Sequence, residues 1–130
     1  MTRVGSHVPP TMQDGETIRA GFEHVLGPGI HGFAIEVGPV VLIPVLVAVK
    51  PGRGDCGRFL DSLDPRCIVC DPNERLAAML NRRGWLGPTI DRAEFHDAIQ
   101  SRWHPRYRAL IGEAFPDAER LTRIYRHPAS

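Results

Sequence analysis

VLVAVKPGRGDCGRFL, residues 45–60, joins an apolar run to a segment of helical character through a turn with three glycines and two arginines. This order predicts a strand, a loop rich in backbone N–H groups and a helix N-terminus. Such a corner attracts anions, because the first N–H groups of a helix lack partners and the helix dipole is positive there. Phosphate or pyrophosphate suits this chemistry. The alternative is steric, since glycines are also common where a strand turns into a helix.

The composition is that of one soluble globular domain. The chain has 130 residues, of which 42% are hydrophobic and 24% charged. Its formal net charge of +1 argues against a general nucleic-acid or membrane-surface binder. The longest apolar run, residues 40–49, is too short to span a bilayer. No signal peptide opens the sequence and the cysteine count is odd, so we predict a cytoplasmic protein with free thiols.

Before the glycine turn, the pattern predicts a loose arm over residues 1–12 and a helix over residues 15–26. Two strands follow, over residues 33–37 and 40–49, joined at Gly38-Pro39. Pro44 has no N–H to give to a central strand. It therefore predicts either a bulge or a break in the second strand.

After the turn, the pattern predicts a helix over residues 56–63, a buried strand over 66–70 and a helix over 74–83 that ends at Gly84. No strand is predicted beyond Cys70. Three helices are predicted instead, over residues 89–103, 105–115 and 116–126, the first starting at Thr89 or Asp91. The chain thus divides into a flexible arm (1–12), an α/β domain (13–88) and a helical C-terminal extension (89–130). The β-α-β order makes residues 45–49 and 67–70 parallel strands.

A second segment, NERLAAMLNRRGW at residues 73–85, follows the buried strand. It is similar to the Asn-x-x-Ala-x-x-x-Tyr-x-x-x-Gly-Phe helix of the GCN5-related N-acetyltransferase (GNAT) family. The glycine turn resembles that family's pyrophosphate loop, Val-x-Pro-x-x-Arg-Gly-x-Gly-x-Gly. The resemblance covers roughly residues 33–85. It implies an α/β fold with a GNAT-like mixed sheet, a short N-terminal part and two parallel strands that splay apart, here residues 41–49 and 66–70.

The resemblance also implies a function. The protein would bind acetyl-CoA as cosubstrate and transfer its acetyl group to an amine of a small molecule or a protein. The pantetheine arm would bind Asn73 and the backbone around Val47 and Val49, with Pro44 as the bulge that opens the gap. The pyrophosphate would be held by the turn residues Arg53, Gly54, Asp55, Cys56, Gly57 and Arg58. A plain helix N-cap is the alternative role for Asn73.

Departures from the family pattern support a second interpretation. The turn aligns only with a one-residue shift of its arginine, and Asp55 brings negative charge to the pyrophosphate. Leu80 stands where the family has a tyrosine, a candidate acid for the departing thiolate. The alternative is a catalytically inactive GNAT-like fold that serves as a binding or structural subunit. It would form a homo-oligomer or a larger assembly through its C-terminal helices.

Acetyl transfer requires a neutral amine and therefore a base. Glu36, on the strand beside the splay, is the predicted catalytic base, and a solvent-facing strand residue is its alternative role. His31, at a strand entry, is a poorer candidate. Cys67-x-x-Cys70 lacks the second ligand pair that zinc requires, so no metal site is predicted. Cys70 would lie near the thioester or serve as a small buried residue.

Overall fold

The computed structural model describes residues 5–11, 25–91, 95–96, 98–99 and 122–129. Within these ranges the chain forms a six-stranded mixed sheet and two α-helices. The strands are β1 Val25–Gly27, β2 Ile30–Val37, β3 Val40–Ala48, β4 Cys67–Cys70, β5 Leu86–Asp91 and β6 Thr122–Arg126. The helices are α1 Asp55–Ser62, between β3 and β4, and α2 Glu74–Arg82, between β4 and β5.

The strand order in the sheet is β1-β2-β3-β4-β6-β5. Two antiparallel hairpins join β1, β2 and β3, the second through the predicted turn at Gly38-Pro39. β3 and β4 are parallel, with α1 as their crossover, and β4, β6 and β5 pair antiparallel. The predictions of an α/β fold, a mixed sheet and a parallel β3–β4 pair are confirmed.

Both faces of the sheet are covered by apolar side chains, because successive strand residues point to opposite sides. One face, here called the α1 face, packs against both helices through Phe59, Leu60, Leu76 and Leu80. The opposite face, here called the Phe95 face, carries a separate cluster that includes Phe33, Leu42, Ile68, Phe95, Ile99 and Ile124. The sheet therefore separates the surroundings of α1 from those of Phe95 and Ile99.

The prediction that no strand follows Cys70 was wrong. β5 occupies the start of the helix predicted over residues 89–103, and β6 occupies the end of the helix predicted over 116–126. Both strands join the central sheet, so residues 89–91 and 122–126 do not belong to a helical extension. Residues 95–96 and 98–99 are helical as predicted. The helix predicted over residues 105–115 lies outside the described residues.

The predictions for the amino-terminal part also fail where the structure describes it. Residues 5–11 are not a detached arm. His7 forms a parallel bridge with Leu63, its N–H donates to Ser62 O at 2.9 Å, and its carbonyl accepts from Asp64 N at 3.0 Å. The end of the helix predicted over residues 15–26 is strand β1, and residues 12–24 lie outside the described residues.

Candidate functional site

A bulge in β3 is the first feature of the candidate site. Phe33 of β2 pairs with Val45, and Ile35 pairs with Leu42. Two residues of β3, Ile43 and Pro44, therefore lie opposite one residue of β2. A proline without N–H is tolerated at a bulge, where one ladder hydrogen bond is already lost. The predicted bulge at Pro44 is confirmed.

The bulge also reverses the alternation of β3 side chains between the two faces of the sheet. Before it, Val41 and Ile43 pack on the α1 face, whereas after it Leu46 and Ala48 do so. The odd-numbered residues thus face α1 before the bulge and the even-numbered residues after it. Val47 lies on the Phe95 side and is 39% exposed.

A gap opens between β3 and β4 at the bulge. The two strands pair from Val41–Cys67 to Ile43–Val69. Beyond that point β4 ends at Cys70, whereas β3 continues to Ala48. This arrangement leaves the far half of β3 bonded to β2 alone, within the described part of the chain.

The backbone groups that face this gap belong to Leu46 and Ala48. Val49 N–H donates to Gly29 O at 2.9 Å, on the β2 side. In an antiparallel pair, alternate residues direct both backbone groups toward the partner strand. Val47 and Val49 therefore direct their N–H groups toward the hairpin, and Leu46 and Ala48 direct theirs into the gap. The sequence predicted the backbone around Val47 and Val49 for the pantetheine arm, one residue out of phase with the groups that face the gap.

The N-terminus of α1 follows this edge and presents N–H groups that have no hydrogen-bond partner among the described residues. Its cap residue, Gly54, is left-handed with φ 76° and gives no side-chain cap. The helical ladder begins with Arg58 N–H donating to Gly54 O at 3.1 Å. The N–H groups of Asp55, Cys56 and Gly57 come before it and point out of the helix. The left-handed φ of Gly54 favours glycine at this position. Because glycine has no side chain to accept a hydrogen bond, Gly54 does not cap the first N–H groups of α1.

Arg58 folds back over the glycine turn. Its guanidinium donates to Arg53 O at 2.9 Å and to the Asp55 carboxylate at 2.5 Å. The Asp55 side chain is only 17% exposed, and a Cβ on Gly29 would lie 2.5 Å from its carboxylate. The negative charge that the sequence placed in the turn is thus paired with Arg58 and packed beside the β1–β2 turn.

Two arginines of α2 and its C-cap lie near the start of α1 and were missed in the sequence. A Cβ on Gly57 would collide with the guanidinium of Arg83, whose Nε donates to Asp61 at 3.0 Å. Burial raises the pKa of the Cys56 thiol, and Arg83 and Arg75 partly offset that rise. Gly57 therefore faces α2. Arg75 and Arg83 are eight residues apart, a spacing that keeps both on one side of a helix. This spacing could have identified them from the sequence.

The structure gives Asn73 its alternative role and places Glu36 away from the position that a catalytic base requires. Asn73 Oδ1 accepts from Leu76 N–H at 2.8 Å, so its role as the N-cap of α2 is confirmed. Glu36 is exposed and pairs with Val41, at the closed end of the β3–β4 pair. Val41 precedes Pro44 by three residues, about 10 Å along a strand. Glu36 therefore does not lie beside the gap.

The cysteines of β4 point to opposite faces of the sheet. Cys67 packs on the α1 face and Cys70 on the Phe95 face. Burial raises the pKa of Cys67 to about 11 and that of Cys70 further, with Asp71 and Asp91 adding to the latter. Both thiols are protonated at neutral pH and are poor nucleophiles. No group of three or more metal-ligating side chains occurs among the described residues.

A polar cluster beside β6 was also missed in the sequence, as Arg75 and Arg83 were. Asp91 ends β5, and its carboxylate accepts the N–H groups of Phe95 and His96, both at 2.9 Å. His96 Nδ1 lies 3.0 Å from Thr122 Oγ1, and Thr122 is 2% exposed. The sequence predicted Asp91 as a helix start, but the contact with Thr122 depends on β6.

Comparison with protein-family models, curated proteins and solved structures finds no match to this chain. In the ranges that the structure describes, no helix combines the length and apolarity needed to cross a membrane. The gap, the α1 N-terminus and the polar cluster are the features of the described residues that bear on function.

Proposed function

We propose that the protein binds acetyl-CoA in the gap between β3 and β4 and transfers the acetyl group to an amine. One observation carries this proposal: the open edge of β3 leads, six residues after Ala48, into the free N-terminus of α1. An extended ligand along this path meets strand backbone first and helix N–H groups second. Acetyl-CoA has an arm with two amides followed by a pyrophosphate, which matches that order.

The arrangement of the sheet supports the resemblance to the GNAT family. The resemblance implies two parallel strands that splay, with a bulge in the first of them. β3 and β4 are parallel, β3 carries a bulge, and their pairing ends there. β5 and β6 add the later strands, which in that family often shape the acceptor site.

The described residues offer partners for two parts of the ligand, the pantetheine arm and the pyrophosphate. Leu46 and Ala48 lie about 6.7 Å apart and would pair with the pantetheine amides, as an added strand would. The N–H groups at the start of α1 would hold the pyrophosphate. Positive charge around that point comes from Arg53, Arg58, Arg75 and Arg83. Asn73 keeps its amide NH₂ for the arm, because its cap uses only Oδ1.

Calorimetry and thermal unfolding with fragments of the cofactor test this proposal. Acetyl-CoA at 100 times its dissociation constant would raise the melting temperature by roughly 10 °C. Acetyl-pantetheine, which lacks the pyrophosphate, and adenosine 3′,5′-bisphosphate, which lacks the arm, would each bind more weakly than the whole. Absence of heat and of a thermal shift with millimolar acetyl-CoA would refute the proposal.

Asp55→Asn sharpens the test at the helix N-terminus. The change removes a negative charge near the pyrophosphate and releases Arg58. A unit charge at short range in water is worth about 1 kcal/mol, so acetyl-CoA affinity should rise about fivefold. Asp64→Asn, which removes an acid at the far end of α1, is the matched control and should leave affinity unchanged. Equal responses would place the pyrophosphate elsewhere.

A binding subunit without transferase activity is the second candidate function. Leu80, at the position of the family's tyrosine, is fully buried in the α1 face and has no proton to donate. Glu36 lies away from the gap. This candidate predicts acetyl-CoA binding without acetylated product, together with self-association in sedimentation experiments. A monomer that acetylates an amine would exclude it.

A further inference from the structure

β6 continues past the end of β4 and so flanks the gap. Cys70, the last residue of β4, pairs with Ile124. Asp71 then donates its N–H to Arg123 O at 2.7 Å and accepts Arg123 N–H on its carboxylate at 2.9 Å. Thr122 is one residue further, where β4 has already ended. Neighbouring strands are about 4.8 Å apart, so Thr122 lies one strand width from the line that β4 would have followed.

Thr122 belongs to the Phe95 face of the sheet. Residues two apart on a strand share a face, and Ile124 packs in the cluster with Phe95 and Ile99. The N-terminus of α1 lies on the other face. A ligand held by its pyrophosphate at α1 and passing through the gap therefore has its acyl end on the side of Thr122.

His96 is fixed at this position by two contacts. Its backbone N–H is bonded to the Asp91 carboxylate, and its ring Nδ1 lies 3.0 Å from the buried Thr122 hydroxyl. The ring is half-buried, and its Nε2 makes no hydrogen bond within the described part of the chain. When Nδ1–H donates to Thr122, Nε2 holds a lone pair and is a proton acceptor.

We infer that His96 Nε2 accepts the proton of the attacking amine, an inference that rests on the proposed acetyl transfer. The neutral amine nitrogen attacks the thioester carbonyl carbon, the C–N bond forms and the C–S bond breaks. The CoA thiolate leaves with the electron pair of the C–S bond and takes a proton from water. The surplus proton on nitrogen passes to Nε2, and the imidazolium later returns it to solvent. Thr122 holds the ring in orientation throughout.

The charges around His96 suit a cationic amine as acceptor. Asp71 follows β4 and Asp91 ends β5, and both carboxylates add to the rise that burial causes in the pKa of Cys70. Arg126 of β6 is turned to the ring of Phe95, with its guanidinium carbon 5.7 Å from the ring centroid. Arg123 of β6 has its backbone bonded to Asp71. An ammonium ion is attracted here, and it attacks as the neutral amine after one proton has passed to solvent, so that Nε2 is still unprotonated when the second proton is released.

His31 supplies a matched control. It lies on β2 opposite Val47, and strand alternation puts its side chain on the Phe95 side with Phe33. It therefore lies near the same end of the gap, but β3 separates it from the gap. Substitution of His31 and substitution of His96 each remove a histidine from the Phe95 face. Only the substitution of His96 removes the proposed proton acceptor.

The test measures acetyl-CoA turnover with spermidine, ethanolamine and a lysine-containing peptide as probes, with acetylated product detected by mass spectrometry. We expect His96→Gln to lower kcat about 100-fold or more at unchanged acetyl-CoA affinity. His31→Gln should retain activity within about threefold. Added imidazole should restore turnover to His96→Ala, a rescue that a structural role would not give. Circular dichroism checks that each variant folds.

The outcomes separate this inference from the function on which it rests. Full activity of His96→Gln, loss without imidazole rescue, or loss in His31→Gln alone would each overturn the assignment. Acetyl-CoA binding with no acetylation of any probe would overturn the role of His96 and leave cofactor binding standing. Failure to bind acetyl-CoA would overturn both.

Discussion

The two halves of β3 differ although they form one strand. Before the bulge, Val41, Leu42 and Ile43 are at most 3% exposed and lie between two neighbouring strands. After it, Leu46 and Ala48 are half-buried and bonded to nothing on the gap side among the described residues, and Val47 is 39% exposed. One inserted residue therefore converts a core strand into an accessible edge, while the hairpin with β2 keeps that edge in place.

The largest expected effect lies in the closed half. Ile43→Ala removes a fully buried side chain beside the last β3–β4 pair and should lower the free energy of unfolding by about 2–5 kcal/mol, measured in urea. Val47→Ala in the open half should change it by about 0.5 kcal/mol or less. Equal losses from the two substitutions would show that the halves do not differ.

A proline scan tests the phase of the open half. Ala48→Pro removes an N–H that faces the gap and should weaken acetyl-CoA binding about tenfold, since one hydrogen bond contributes roughly 1 kcal/mol. Val47→Pro removes an N–H directed at β2 and should chiefly lower stability. Calorimetry and urea unfolding of both variants report the two effects separately. A larger loss of binding in stable Val47→Pro would reverse the assigned phase.

The smallest effect concerns the buried histidine near the closed end. Burial lowers the pKa of His127, whose Nδ1 accepts Ala129 N–H at 3.0 Å and whose ring packs edge-on against Trp85. The unfolded chain therefore binds a proton at a pH where the folded chain does not. Stability should be full above the ordinary histidine pKa of 6.5 and fall as the pH decreases through the interval down to the folded pKa.

His127→Gln should flatten this part of the stability curve, measured as urea midpoints between pH 7.5 and 5. The range stops there because the pKa of Asp64 is lowered by its hydrogen bond from Arg66 N–H, so protonation of Asp64 would add a second loss in stronger acid. A slope unchanged by the substitution would assign the pH dependence to another group.

Local signals explain why the centre of the fold was predictable. Pro44 marked the bulge, Asn73 capped α2, and Gly84 ended it with a left-handed φ of 77°. Each of these depends on neighbours close in sequence. β5 and β6 were missed because their pairing is long-range: Arg123 bonds to Asp71 from 52 residues away. β5 is also an exposed edge strand that contains Pro88, so it lacks the alternation that identifies strands.

The candidate site was predictable in place but not in detail. The glycine turn and the helix start were correctly located from composition. The phase of the β3 backbone was not predicted, because a bulge reverses the alternation and Pro44 indicated either a bulge or a break. The contact of Arg83 with Gly57 and that of His96 with Thr122 were not predictable either, because each joins segments that are distant in sequence.

The place of β4 between β3 and β6 has a consequence for biosynthesis. The amino-terminal hairpin, α1 and β4 can associate soon after they are made, but the second edge of β4 has no partner until residues 122–126 are synthesised. Until then Ile68 and Val69 lie on an apolar strand edge whose backbone N–H and C=O groups are unpaired. Such an edge pairs readily with other chains. A nascent or truncated chain that stops before Thr122 should therefore need a chaperone or aggregate, even though most of its core residues are already present.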